Sequence, residues 1–403
     1  MKKTLSKTFC IFPWMHLSSS TSGSLRPCCH CNHGKSFIKD EKGRVYRIYG
    51  EDLKKAWHSP VYRKIRQKLL NNEKPEECKY CFQKESAGLI SPRQRANKHW
   101  MFEYQQSVTP PFKIRYLDIR LGNQCNLRCR MCDPYSSHQW IKEYKKMKQE
   151  NSFVFPELNE FDGKMNMNWP EKMDFKKLFK NISHVEEIYF AGGEPLLIKK
   201  HYDLLDKLID ENYSSKIVLN YNTNITKLSD QILNYWKHFK LVKLSISIDG
   251  IQDLNNYIRY PSKWNLIEKN ISKAESISKG ETVNLEMNFT YTVQMYNILY
   301  TDEFLKWFKK RSYLPLQLSL SILNDPKFLN IKVLPKVLKK RVEEKLLPFK
   351  DEFPVLSLIS YMNKEDWSQY LSLFFKYSDF LDRSRNQKMS KILPELESYR
   401  NHL

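Results

Sequence analysis

Residues Ile114-Arg115-Tyr116-Leu117-Asp118-Ile119-Arg120 lead directly into Leu121-Gly122-Asn123-Gln124-Cys125-Asn126-Leu127-Arg128-Cys129-Arg130-Met131-Cys132. The first seven read as a β-strand, and the C-x3-C-x2-C loop then lies at its carboxyl end. Downstream, Glu187–Ala191, Lys216–Asn220, Lys243–Ile248, Asn284–Thr292 and Leu316–Ile322 also read as strands. Between them Lys200–Asn212, Ser229–Phe239, Trp264–Ser278 and Asp302–Lys310 carry helical periodicity. Strands alternating with helices predict an α/β fold with a parallel sheet, either doubly wound or a partial barrel. Active sites in such folds gather where the strands end, which is where the cysteines stand. Phe153–Trp169 shows little pattern and reads as an inserted loop. Beyond Asn324 the chain turns helical and aromatic, punctuated by prolines.

All nine cysteines fall at or before Cys132. An odd number at short spacings is wrong for a disulfide framework and right for metal or cluster ligation in a reducing compartment, so a cytoplasmic location is expected. The opening MKKTLSKTFCIFPWMHLSSS imitates a secretory signal, but Pro13, Trp14 and His16 interrupt its apolar stretch. No run approaches the ~18 apolar residues of a membrane helix, so no membrane partner is expected. With 41% hydrophobic and 28% charged residues, the composition excludes a disordered chain. The formal net charge of +22 permits an acidic or nucleic-acid partner without requiring one. Lys54–Lys68 contains no acidic residue, and Lys336–Lys345 is a second basic run. The favoured reading of the first is a solvated helix face with Trp57 and Tyr62 turned into the core; stacking on nucleic acid is the alternative.

Three thiolates spaced like Cys125, Cys129 and Cys132 can hold three corners of a [4Fe-4S] cube, leaving one iron open to a small molecule. A zinc knuckle or three packed thiols are the alternatives. The second strand ends in Ala191-Gly192-Gly193-Glu194-Pro195. Its two glycines let a ligand approach the backbone, and Glu194 can accept hydrogen bonds from an ammonium group. Near the amino terminus Cys10, Gly23 and Cys28 are followed by the pair Cys78 and Cys81. Two elements giving two thiolates each can close a four-thiolate site, either structural zinc or a second cluster.

The C-x3-C-x2-C loop and Gly192-Gly193-Glu194-Pro195 together resemble the radical S-adenosylmethionine enzymes, over roughly residues 113–323. The resemblance implies a partial (β/α)6 TIM-like barrel over 96–323, with a small cysteine-rich module over 1–95 before it and a helical region over 324–403 after it. It implies that Cys125, Cys129 and Cys132 hold a catalytic [4Fe-4S] cluster. That cluster would reductively cleave S-adenosylmethionine to methionine and a 5′-deoxyadenosyl radical, which abstracts hydrogen from a substrate. Cofactor contacts are implied for Met131, Gly192, Gly193, Glu194, Pro195, Asn224, Ser247, Asp249 and Arg259. Ser247 and Arg259 have donors suited to the cofactor carboxylate. Met131 stands where the family usually has an aromatic residue, and its sulfur can still pack on adenine. Ile225 replaces a glycine usual in relatives.

The amino-terminal module resembles a SPASM or twitch domain, here leading the barrel where most relatives have it trailing. Trp57, Ser59, Tyr62, Arg66, Glu85, Gly88, Ser91 and Arg93 fit a group with such a leading module. The resemblance implies an auxiliary [4Fe-4S] cluster on Cys10, Cys28, Cys78 and Cys81. Cys29 and Cys31 are alternative ligands, with His30 or His33. It makes a peptide or protein the first substrate expectation and an electron donor of flavodoxin or ferredoxin type the expected partner. RNA or a small molecule stands second. The rivals from other classes are a zinc-stabilised nucleic-acid-binding protein and an iron-sulfur electron carrier.

Overall fold

The computed structural model describes residues 6–31, 36–49, 53–86, 88, 90–100, 107–150, 167–179, 182–311 and 317–402. Its strands are β1 (His16–Ser19), β2 (Leu25–Arg26), β3 (Tyr116–Ile119), β4 (Glu187–Phe190), β5 (Val218–Thr223), β6 (Leu241–Ser247), β7 (Leu285–Val293) and β8 (Gln317–Ile322). They form one sheet in the order β2-β1-β3-β4-β5-β6-β7-β8. From β3 onward the strands follow chain order, and β3–β4, β4–β5 and β7–β8 pair in parallel. Sequential placement of this kind is the arrangement of a (β/α)6 partial barrel, with helices supplying the crossovers.

The pattern of each strand explains its place. In β7 the residues Leu285, Met287, Phe289, Tyr291 and Val293 are buried while their neighbours are more open, the period of two that a helix-covered sheet imposes. β3 and β4 are buried on nearly every residue, as central parallel strands are. Trp264–Ser278 forms a helix over the predicted residues, and Lys199–Asp210, Asp230–Trp236 and Thr301–Lys309 match the other predicted helices to within three residues at each end.

Two strands were not expected. β1 and β2 pair antiparallel, and β1 then joins β3 in parallel with His16 opposite Tyr116 and Ser18 opposite Asp118. The amino-terminal module therefore extends the barrel's sheet. His-Leu-Ser-Ser carries no apolar alternation, so its strand state comes from pairing with β3, which its own sequence does not announce.

The chain divides into two compact units. The first comprises Met1–Asn123, Asn166–Tyr221 and Gln231–Val242. Its amino-terminal core packs Phe9, Ile11, Phe12, Trp14 and Met15 against Ile65, Leu69 and Ala96. The basic Lys54–Lys68 stretch lies mostly on the helices Leu53–Trp57 and Pro60–Leu70, and its Trp57 and Tyr62 are fully buried. Arg66 is buried with them, its guanidinium 4.8 Å from each ring, donating to the carbonyls of Pro13 and Trp57. Ser59 caps the second helix, accepting from the Tyr62 N–H. Glu85 accepts from Ser91 and Arg93, while Arg93 also donates to the Phe9 carbonyl beside Cys10.

The second unit comprises Gln124–Met165, Asn222–Asp230 and Lys243–Leu403. Past β8 the described chain is helical, chiefly Lys336–Leu346, Val355–Asn363 and Leu371–Arg385. Among the described residues no helix is long and apolar enough to cross a membrane. The proposed insertion Phe153–Trp169 lies outside the described residues up to 166; Trp169 itself is buried and opens the 3-10 turn Trp169–Lys172.

Candidate functional site

The cysteine loop belongs to the second unit from Gln124 onward. Cys125, Leu127 and Cys129 are buried together, with Met131 and Cys132 half-buried against them. Antiparallel-like backbone bonds pin the loop to the end of the helix Gln252–Ile258 and the residues just after it: Arg128 N donates to Tyr260 O and Arg130 N to Ile258 O, both at 2.7 Å. Trp140 Nε1 donates to Cys129 O at 2.9 Å. Arg130 is fully buried, with its guanidinium 3.5 Å from the Tyr257 ring centroid and a bond to the Tyr257 carbonyl. It also pairs with Asp382, and Tyr377 Oη donates to the Arg130 carbonyl, so the carboxyl-terminal helix Leu371–Arg385 fixes the back of the loop.

The sulfurs receive polar support. Leu127 N donates to Cys125 Sγ at 3.4 Å, and Asn224 Nδ2 lies 3.9 Å from the same sulfur while donating to Asn126 Oδ1 at 3.0 Å. N–H donors of this kind stabilise thiolate charge and tune a bound cluster. Cys125 N donates to His138 Nδ1, a residue with no signal in the motif. The thiol of Cys129 is held below its ordinary range, first by a hydrogen bond from Cys132 and then by the positive charge of Arg259, against the opposing effect of burial. Cys132, giving that hydrogen bond, is correspondingly raised.

Arg259 is itself anchored. Its Nη1 lies 2.6 Å from Asp249 Oδ2, and Asp249 Oδ1 accepts from Thr292 N at 3.0 Å. Asn255 accepts from the Asp249 N–H and Asn297 donates to its carbonyl, so the acid is tied to three neighbouring elements. This makes Asp249 a positioning residue for Arg259. Ser247 is half-buried at the end of β6. In the second unit the structure thus gathers Cys125, Cys129, Cys132, Met131 and Asn224, and places the Asp249–Arg259 pair within electrostatic reach of Cys129. Sequence reading missed Arg130, His138 and Asp382, because their partners are more than a hundred residues away or carry no spacing rule.

The glycine turn belongs to the first unit, where it follows β4. Gly192 and Gly193 have φ of +81° and +58°, the left-handed region that glycine alone enters freely. A Cβ on Gly192 would stand 2.8 Å from Thr21 Cγ2 and 3.0 Å from Arg120 Cβ, so close packing also demands glycine there. Glu194 is buried and caps the turn Pro195–Leu197 by accepting from Leu196 N.

The amino-terminal cysteines also lie in the first unit. Burial raises the Cys10 thiol to about 12, with the charges of Cys81 and Cys29 adding to it. Burial likewise raises Cys78, helped by Cys10 and Cys81, and Cys28 feels both Cys10 and Cys31. Cys10, Cys28, Cys78 and Cys81 therefore share one neighbourhood in which four bare thiolates would repel each other, and all nine cysteines are free of disulfides. A cationic centre removes that repulsion, so the donor set suits an iron-sulfur cluster or zinc. Cys29 and Cys31 belong to the same neighbourhood, Cys29 acting on Cys10 and Cys81 and in contact with Cys28 and His30, and Cys31 acting on Cys28 and Cys78.

Comparison with known proteins assigns these segments. Residues 119–288 match the radical SAM superfamily and residues 10–82 match an iron-sulfur cluster-binding domain, SPASM. An uncharacterized protein of Methanocaldococcus jannaschii is 25% identical over 198 residues, 48% of this chain and 58% of that one. A GTP 3′,8-cyclase of Sulfurovum sp. is 25% identical over 173 residues, 43% of this chain and 46% of that enzyme. The chain spans about half the length of the curated relatives it matches. Among solved structures, anSMEcpe with bound AdoMet and the Cp18Cys peptide is 17% identical with a TM-score of 0.39, covering 62% of each chain. Streptococcus suis SuiB bound to its precursor peptide SuiA is 13% identical with a TM-score of 0.35, covering 58% of this chain and 46% of that one.

Proposed function

The chain carries a radical SAM domain preceded by an iron-sulfur cluster-binding domain, and on that premise we propose that it abstracts hydrogen from a peptide or protein substrate. A [4Fe-4S] cluster on Cys125, Cys129 and Cys132 would supply the electron that splits S-adenosylmethionine into methionine and a 5′-deoxyadenosyl radical. The protein's own part is to position and to stabilise charge. Arg259, oriented by Asp249, offers a cationic donor to the cofactor carboxylate. The glycine turn Gly192-Gly193 opens backbone to the cofactor, and Glu194 offers an acceptor for its ammonium. Met131 offers a polarizable face to adenine, and Asn224 supports the sulfur of Cys125. Cys10, Cys28, Cys78 and Cys81 would hold an auxiliary cluster.

The observation that carries this reading is the packed trio Cys125, Cys129 and Cys132, with the guanidinium of Arg259 acting on Cys129. Support for a peptide substrate comes from the leading cluster-binding domain, a domain type whose resemblance implies peptide or protein modification. A second reading, a small nucleotide substrate, is favoured by the relatives named GTP 3′,8-cyclase. Anaerobically reconstituted protein given S-adenosylmethionine and a reductant should release 5′-deoxyadenosine, and Cys129→Ala should not. Bound zinc without sulfide in the reconstituted wild type would sink the reading. GTP-dependent, peptide-independent stimulation of 5′-deoxyadenosine would replace the peptide by the nucleotide.

A further inference from the structure

We propose that His16, Cys29 and Asp118 form a mononuclear site for a divalent cation of the zinc type, distinct from both cysteine clusters. One imidazole nitrogen, one sulfur and one carboxylate oxygen from these three buried residues all lie within 4.8 Å of one another. The fold brings them together for a definite reason. His16 and Asp118 stand on β1 and β3, whose parallel register sets Ser18 opposite Asp118 and so places His16 two residues along on the same face. Cys29 arrives on the segment after β2.

His16 and one oxygen of Asp118 are incompletely satisfied without a further partner. Among the described residues neither ring nitrogen of His16 has a hydrogen-bond partner, and Asp118 Oδ1 accepts no hydrogen bond, though Arg120 Nε pairs with it at 3.6 Å. Both side chains are fully buried. Each buried polar atom left so costs about 1–3 kcal/mol, and one cation would meet one His16 ring nitrogen and Asp118 Oδ1 at once. Asp118 Oδ2 is occupied by the Ser18 hydroxyl at 3.1 Å, which orients the carboxylate as an outer hydrogen bond does for a ligating acid.

The donor set selects the ion. Thiolate and imidazole together favour zinc over magnesium or calcium, and thiolate plus carboxylate balance its two charges. Three protein ligands leave a fourth position, the arrangement of catalytic zinc rather than structural zinc. Arg120 Nε lies 3.6 Å from Asp118 Oδ1, and this neighbouring positive charge favours an anionic oxygen donor at that position.

This inference rests on Cys10, Cys28, Cys78 and Cys81 holding the auxiliary cluster, because Cys29 adjoins Cys28. Full-length protein, reconstituted with iron and sulfide and then given Zn²⁺, should retain about one zinc per chain. Its zinc-edge X-ray absorption should show one sulfur at about 2.3 Å and nitrogen or oxygen at about 2.0–2.1 Å. Cys29→Ser, His16→Gln and Asp118→Asn should each lower zinc to under about a tenth per chain with iron and sulfide unchanged. A wild-type zinc shell of four sulfurs, or no retained zinc, would overturn the proposal without recourse to any variant. So would loss of a cluster's worth of iron and sulfide in Cys29→Ser, which would make Cys29 a cluster ligand. Assay of 5′-deoxyadenosine in the same samples separates this from the functional reading: its absence beside intact zinc would sink the radical reading alone.

Discussion

The guanidinium of Arg259 lies 2.6 Å from the carboxylate of Asp249, and its charge helps hold the Cys129 thiol below its ordinary range. One arginine therefore serves an acid on one side and the cysteine loop on the other. Arg259→Met removes a charge-assisted donor worth about 1.5–3 kcal/mol. The apparent KM for S-adenosylmethionine should rise about 10- to 100-fold. Asp249→Asn should give a smaller rise, because it loosens the arginine without removing it. Equal affinity in wild type and Arg259→Met, measured by equilibrium binding, would remove Arg259 from the cofactor site.

At Gly192 the backbone φ of +81° and the 2.8 Å approach to Thr21 Cγ2 both exclude a side chain. Gly192→Ala should cost about 1–3 kcal/mol of stability. Thr21→Ser removes the nearer obstacle, so the double variant should recover part of the loss in a urea midpoint. A single variant as stable as wild type would show that the turn does not need its glycine.

Glu143 and Arg385 form a buried pair, with Arg385 Nη2 2.8 Å from Glu143 Oε2. Burial pushes the Glu143 carboxyl up, but Arg385 holds it below its usual value. Arg385→Met should destabilise by about 3 kcal/mol, because the buried carboxylate keeps only the Ser384 hydroxyl and the more distant Arg128, 3.9 Å away. Glu143→Leu combined with Arg385→Met should restore most of it. A double variant no better than the single one would contradict this account.

His201 is fully buried with Nε2 2.8 Å from the Tyr221 hydroxyl, and burial lowers its pKa to about 3. The unfolded chain then binds the proton more readily, so this contribution to stability is complete above pH ~6.5 and is lost as the pH falls towards 3. At pH 5 the loss should be about 2 kcal/mol. His201→Gln keeps a polar partner for Tyr221 and cannot titrate, so its acid slope should be shallower in urea titrations. Parallel slopes for the two proteins would refute the assignment.

Local patterns carried well from sequence to structure. Trp264–Ser278 and β7 show their periods plainly, because each buries one face against a single layer. The strand His16–Ser19 was not legible, since its partner is a hundred residues away and its residues carry no alternation. Trp57 and Tyr62 turned inward as the favoured reading held, yet Arg66 among them is buried against those same rings, which no charge count reveals.

By itself the sequence determined the chemistry available: three thiols on a loop at a strand's end, a Gly-Gly turn at the next, and a cysteine-rich segment ahead of both. Spacing along the chain suffices there, because each motif is a single turn whose geometry is local. Tertiary structure alone decided that Asp249 orients Arg259, that Asp382 and Tyr377 hold Arg130 behind the cysteine loop, and that His16, Cys29 and Asp118 meet. Most of those relationships join residues a hundred or more positions apart, and none is fixed by a local spacing rule. Pairing of β1 with β3 brings His16 to Asp118, packing of the carboxyl-terminal helix brings Asp382 and Tyr377 to Arg130, and the turn of the chain through the helix Gln252–Ile258 folds Arg259 back on Asp249.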